Sequence, residues 1–404
     1  MIKEVGILLL LLSNRLVCLL IYRIMKIKFA LFFLFLLSMY GCMNHSSFLP
    51  VSCCLSQMVG FPSVESGIEK GVSACYAGVV NGQLLLAGGC NFPELPASQG
   101  GKKKFYRGIY VTDLPSDSLL HWRKVGDLPF PMAYGVSVVY KDRFICVGGT
   151  DGICPQSAVW SIRMAGETAE ELEIDSLPSL PFSLDNMCGL VVGDRLLVAG
   201  GNSNGIPSNE FLCLNLQDVA SGWKVLPSFP GDARIQPVCA AQQVGEGFLF
   251  YLFGGFAPAV SGKQPSLSVD GYCYSSETEQ WSALAAPSDE TGEAVSLGGG
   301  TGVVLQNRWA LFTGGVHKDI FLSALRKPSE DYLLHTPEWY RFNDRLFLYD
   351  MQQHTWEVLL RSSHLARAGA VLVSHEKNSF YNINGELKPG VRTPEITQIR
   401  LVEK

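Results

Sequence analysis

The chain predicts an all-β fold, a six-bladed β-propeller, and three observations carry that reading. A hydrophobic strand closed by a glycine pair recurs five times: Leu86-Ala87-Gly88-Gly89, Cys146-Val147-Gly148-Gly149, Val198-Ala199-Gly200-Gly201, Leu252-Phe253-Gly254-Gly255 and Phe312-Thr313-Gly314-Gly315. A sixth copy, Tyr381-Asn382-Ile383-Asn384-Gly385-Glu386, breaks the pattern. The spacing of about 50 to 70 residues is a repeat period, which fixes the architecture before any local assignment. Third, an apolar, glycine-rich composition with few charges suits buried strands and tight turns.

Each unit follows one grammar. In Ala133-Tyr134-Gly135-Val136-Ser137-Val138-Val139-Tyr140 a strand of small and apolar residues leads through the polar turn Lys141-Asp142-Arg143 to the strand that ends in Gly-Gly. A third strand carries an aromatic residue and a fourth opens with Trp. The first unit pairs Tyr110 with Trp122 and the third pairs Phe211 with Trp223. The second has no Trp near Leu172 to Leu177. The fourth and fifth show the step most clearly, as Tyr274 to Trp281 and Tyr349 to Trp356. Leu-Pro links at Leu128-Pro129, Leu177-Pro178 and Leu226-Pro227 start the following units, where a proline breaks no central ladder. The sixth unit has strands at about 368–374, 379–384 and 394–402 and then runs out of chain. The segment Leu55 to Pro62 has fourth-strand character and supplies the missing outer strand, so pairing of the chain ends closes the ring and removes its open edges. Four strands per unit around an axis is the blade of a propeller, and the Gly-Gly and Tyr…Trp pattern resembles the kelch repeat.

Residues 55–404 therefore form a single propeller, preceded by a targeting segment at 1–42 and a linker at 43–54. Met25-Lys26-Ile27-Lys28, the apolar run Phe29 to Leu37 and Gly41-Cys42 have the order of a secretory signal whose end resembles a bacterial lipoprotein processing site. Translation is expected to start at Met25, with Cys42 as the lipidated residue, a periplasmic location and no membrane contact beyond that anchor. The net charge of -5 and the lack of basic runs other than Lys102-Lys103-Lys104 exclude a phosphate-tracking nucleic-acid binder. Of the 12 cysteines, Cys75, Cys146, Cys188, Cys213, Cys239 and Cys273 sit in apolar strands as small hydrophobes, so few or no disulfides are expected. No C-x-x-C occurs and the seven histidines fall at no ligand spacing, so no metal and no cofactor is expected.

Two connections exceed a strand turn: Asn91 to Tyr106, and Val316 to Arg345. Within the second, Thr336-Pro337-Glu338 reads as a helix start. Both leave equivalent corners and should gather at one mouth. The residues following the corners are Cys90, Thr150, Asn202, Phe256, Val316 and Glu386, and only the last is an acid. Pro389-Gly390 favours a turn that returns Arg392 toward Glu386. From spacing alone that pair serves equally well as a surface salt bridge.

The run Ile383-Asn384-Gly385-Glu386-Leu387-Lys388-Pro389-Gly390-Val391-Arg392-Thr393 resembles the signature of the bacterial N-acetylneuraminate epimerases, sialic acid mutarotases built on a six-bladed kelch propeller. The stretch Ala133-Tyr134-Gly135-Val136-Ser137 and the insertion after Gly314-Gly315 are similar too. The signature falls in the last unit, so the chain looks like a cyclically permuted branch. The resemblance implies that Glu386 accepts a proton and that Arg392 partners the substrate, a free acidic sugar whose carboxylate suits a guanidinium fork. It also leads us to expect an arginine where Met132 stands, and hence one altered anion or hydroxyl contact. Asn91, Phe92, Lys102 and Lys103 in the first insertion, and Trp339 and Tyr340 in the second, are the expected supporting contacts. The competing reading is a non-catalytic glycan-binding lipoprotein on the same scaffold.

Overall fold

The computed structural model describes residues 52–402 apart from 166–170 and 260–261; the expected targeting segment, with Met25 and Cys42, lies outside the described residues. Six four-stranded antiparallel sheets form the blades. The first five follow chain order, starting at Tyr76–Val80, Val136–Tyr140, Cys188–Val192, Val238–Val244 and Gly300–Leu305. The sixth takes Val371–Glu376, Ser379–Ile383 and Ile396–Val402 from the end of the chain and Ser52–Met58 from its beginning. That outer strand pairs from Ser52↔Val402 to Met58↔Ile396. It starts ahead of Leu55, so Cys53 and Cys54 belong to the blade and not to a linker.

The corner geometry explains why the sixth copy departs from Gly-Gly where it does. The first residue of each pair is left-handed, with φ between 52° and 72° at Gly88, Gly148, Gly200, Gly254 and Gly314, and 56° at Asn384. Asparagine tolerates that conformation. The second position reaches φ 92° to 106°, beyond what a side chain adopts without strain, and it stays glycine in all six copies, Gly385 included. Its N–H ties one blade to the next: Gly89 to Met132 O at 2.8 Å, Gly149 to Leu184 O at 2.8 Å and Gly385 to Val72 O at 3.0 Å.

Each interface between neighbouring blades holds its own apolar core. Leu85 and Ile109 meet Phe144 and Ile162 between blades one and two, and Leu197 and Phe211 meet Phe250 and Leu252 between three and four. Closure is equally apolar, with Tyr381 and Ile383 of blade six against Leu84 and Leu86 of blade one. Tyr274 pairs directly with Trp281, and Tyr349 with Trp356, as the seven-residue step implied. The third unit differs. Phe211 lies opposite Leu226, and its ring packs 5.3 Å from Trp281 of the next blade instead of on Trp223. Trp223, Trp281 and Trp122 each donate their indole N–H to a linker carbonyl, at Pro178, Pro227 and Gly60.

Phe253 is fully buried between blades four and five, with ring centroids 4.8 Å from Trp356 and 5.0 Å from Tyr349. Phe253→Ala should cost about 3–5 kcal/mol, read as a lower urea midpoint, because the rigid sheets on both sides cannot collapse into the void. A midpoint like that of the parent would show that the blades do slide together.

Around the axis, six residues just ahead of the first strands form a closed collar of backbone hydrogen bonds. Ala74 N–H donates to Gly369 O, Tyr134 to Ala74, Asn186 to Tyr134, Gln236 to Asn186, Gly299 to Gln236 and Gly369 to Gly299, at 2.6 to 3.1 Å. All six are left-handed, with φ from 50° to 76°. At the four non-glycine positions that conformation costs roughly 1–2 kcal/mol each, which the collar bonds offset.

Candidate functional site

The post-glycine residues lie on one rim, as repeat symmetry requires. Each pairs with the residue preceding a collar position: Cys90 with Ser73, Thr150 with Ala133, Asn202 with Asp185, Phe256 with Ile235 and Glu386 with Ala368, while Val316 N–H donates to Gly298 O at 3.0 Å. The two insertions flank the Glu386 corner. Ala97 of the first touches the Gly390 turn, and Lys388 Nζ donates to Leu333 O and His335 O of the second, at 3.2 and 2.5 Å.

Glu386 and Arg392 face each other in a short hairpin, Glu386–Lys388 with Val391–Arg392. Pro389 presets the turn and Gly390 supplies φ 84°. Arg392 Nη1 donates to Glu386 Oε1 at 2.7 Å, and the Gly390 N–H donates to the same oxygen at 2.5 Å. Arg392 Nε donates to Ser73 Oγ at 3.0 Å, and its guanidinium lies 5.1 Å from the Phe92 ring centroid. The arginine side chain is 3% exposed and the glutamate 23%. Burial works against the charge on Arg392, but Glu386 and Tyr134 outweigh it and hold its pKa above the ordinary value. The carboxylate is thus fixed through one oxygen while Oε2 makes no hydrogen bond among the described residues.

That carboxylate borders a cavity of about 180 Å³ whose wall includes Tyr134, Gln236, His317, Tyr332 and Phe342. A larger void of about 430 Å³ occupies the axial channel, but no Asp, Glu, His, Lys or Arg lines it. Tyr134, Gln236 and Gly369 border both spaces, so the collar separates a channel without carboxylates, histidines or basic side chains from the rim that carries Glu386 and His317. Across the smaller cavity His317 stays neutral, its pKa lowered by burial and by Arg341, and its Nδ1 is buried without a partner. Burial, with Tyr340 and Glu386, pushes the Tyr332 phenol up to about 12.

Of the expected supporting residues, several have other tasks. Asn91 is buried, donates both amide protons to Gly67 O and Gly71 O at 2.7 and 2.8 Å and accepts from Tyr106 at 2.9 Å, which ties it to the protein's own loops. Phe92 lies against Arg392 and 5.8 Å from Lys103 Nζ, so its ring supports two cations. Lys103 donates to the Tyr134 hydroxyl at 3.1 Å, whereas Lys102 is exposed and outside the cavity wall. Trp339 stacks on His335 at 3.8 Å, 42% exposed and away from the cavity; its neighbour Tyr340 is the one that lines it. Tyr340 donates its hydroxyl proton to Tyr332 O.

Met132 is fully buried between blades one and two. At the equivalent places Arg234 and Arg367 are buried too, the first bonded to Gly254 O and Asp270, the second to Asn384 O, Glu395 O and Thr397 Oγ1. Both guanidinium groups bond to the protein itself, and at Met132 an apolar contact between blades stands in place of such a tie.

Sequence reasoning missed Tyr134, Ser73 and His317 as parts of the site. It also missed Asp185, a second buried carboxylate on the rim, which accepts from Asn186 and Asn202 and whose pKa burial raises. Extending the repeat comparison from the post-glycine residue to its cross-strand partner would have found Ser73 and Asp185. Among the described residues no group of three or more His, Cys, Asp or Glu converges to hold a metal ion.

The profile of the N-acetylneuraminate epimerase family matches residues 53–170 and 177–404. Similar curated proteins carry the same description: one from Brucella melitensis is 25% identical over 259 residues, covering 60% of this chain and 64% of its own. Others are from Haemophilus influenzae strain 86-028NP, 29% identical over 56% of this chain and 60% of its own, and from Salmonella arizonae, 30% identical over 55% and 57%. The chain thus spans less than two thirds of the length of the curated relatives it matches. With the profile matching both long stretches of the propeller, the chain belongs to the N-acetylneuraminate epimerase family.

Proposed function

We propose that this protein is a sialic acid mutarotase, interconverting the α and β anomers of N-acetylneuraminate by assisted opening and closure of the sugar ring. One observation carries the reading: a carboxylate anchored by a buried arginine through one oxygen, its other oxygen unpartnered, on the wall of a cavity at the propeller mouth. Opening a pyranose at its anomeric carbon needs a base for the anomeric hydroxyl proton, and general acid–base assistance supplies roughly 10²–10⁴-fold. Glu386 is held where it can accept that proton and return it on closure. Arg392 anchors the carboxylate and adds positive potential for the sugar's own carboxylate, which the exposed ammonium of Lys103 reinforces at the mouth.

The test is anomer-resolved. Pure α-anomer is released in situ and its conversion followed by proton NMR, with and without the purified protein. Equilibration should run several-fold or more ahead of buffer, in proportion to protein concentration. Unaccelerated equilibration at saturating protein would instead favour a module that only binds the sugar.

A further inference from the structure

Glu386 accounts for half of the proton traffic that ring opening requires. The anomeric hydroxyl must lose a proton and the ring oxygen must gain one, so a second carrier is needed on the same cavity. Tyr340 is committed, since its hydroxyl already donates to Tyr332 O. His317 is held in its neutral, weakly acidic form by burial and by Arg341, and its buried Nδ1 is unpartnered, so it is the poorer proton donor. Tyr134 is different. Its backbone is fixed on the collar at φ 63°, donating to Ala74 O and accepting from Asn186 N–H. Its hydroxyl accepts from Lys103 Nζ at 3.1 Å and interacts with the Arg392 guanidinium, and the residue belongs to the same cavity wall as Glu386.

We propose that Tyr134 is the second catalytic residue, giving its hydroxyl proton to the sugar ring oxygen while Glu386 takes the proton of the anomeric hydroxyl. This rests on the mutarotase reading above. The step balances. The bond between the anomeric carbon and the ring oxygen breaks, its electron pair goes to the ring oxygen, and that oxygen takes the Tyr134 proton. The anomeric oxygen becomes a carbonyl as its proton passes to Glu386. The phenolate left behind lies between two cations, Lys103 and Arg392. On closure the new chain hydroxyl returns its proton to Tyr134 and attacks either face of the carbonyl, whose oxygen recovers the proton from Glu386; no oxidant or co-reactant is consumed. Burial, and then Cys90, push the phenol's pKa up while Arg392 acts against them, so the group rests in the donor form that the opening step needs.

The experiment compares wild type, Tyr134→Phe, Lys103→Met and His317→Ala in the NMR anomerisation assay, with sugar affinity measured separately by calorimetry. Phenylalanine keeps the ring and the backbone conformation and removes only the hydroxyl. Tyr134→Phe should lower kcat by roughly 10²-fold or more, with sugar affinity changed by no more than a few-fold. Lys103→Met, which leaves Tyr134 itself untouched and stands in should the first variant fail to fold, should lower kcat by about tenfold. Wild-type kcat in Tyr134→Phe, or a larger loss in His317→Ala than in Tyr134→Phe, would overturn the assignment. An inert wild type would instead defeat the mutarotase reading, and the assignment with it.

Discussion

Glu386→Gln should leave the propeller folded and cut catalysed anomerisation by roughly 10²–10⁴-fold, the whole contribution expected of a general base. The substitution is nearly isosteric. An amide oxygen can still accept from the Gly390 N–H and from Arg392 Nη1, the two donors that now hold Oε1. What it loses is the ability to take a proton at the other position. The hairpin, the tie from Lys388 to the second insertion and the bond between Glu386 and Ala368 backbones do not involve the carboxylate and should persist. Matching far-UV spectra and thermal midpoints, alongside the lost rate, would locate the defect in chemistry. Parental turnover in the variant would remove Glu386 from the mechanism.

The second large effect is expected at Arg392. Arg392→Ala removes the counter-charge beside Glu386, the donor to Ser73 and the cation over Phe92. A charge-assisted hydrogen bond is worth about 1.5–3 kcal/mol, so affinity for the carboxylated sugar should fall about 10- to 100-fold. A neutral analogue lacking the carboxylate should bind both forms alike, because nothing in it answers to the guanidinium's charge. Titration calorimetry with the two ligands separates the possibilities. Equal losses for both would mean that Arg392 acts only by shaping the hairpin. Turnover should fall as well, since Glu386 would then be held only by the Gly390 N–H and would point its free oxygen at the cavity less firmly.

Much of this was legible in the chain because the propeller repeats its punctuation. The corner demands one left-handed residue and one glycine at still larger φ, so five Gly-Gly pairs and one Asn-Gly mark six equivalent places. The ring-closing strand was readable for the same reason, as the sixth unit was one strand short. The helix Lys318–Arg326 was not foreseen. Its N-cap is His317, which makes no capping bond, so the usual Ser, Thr, Asp or Asn signal is missing. The expected helix start at Thr336 proved to be a single 3₁₀ turn, Pro337–Tyr340, again without a side-chain cap. Site partners were harder still. Asn91 beside a rim corner reads as a ligand contact until Gly67 and Gly71 are seen to take both its amide protons and Tyr106 to donate to its oxygen. Likewise, nothing local reveals that Lys103 reaches Tyr134, because the contact joins two loops of different blades.

The closed collar has one further consequence. Its six amides pass round a circle without a first or last member, and the seam between the chain's ends lies out at the edge of blade six, where Ser52–Met58 meets Ile396–Val402. Cutting the polypeptide at another outer seam and rejoining the old ends would therefore leave the innermost circle, and whatever chemistry stands on it, geometrically unaware of the change. For such a wheel the order in which blades leave the ribosome is free to drift while the hub stays the same.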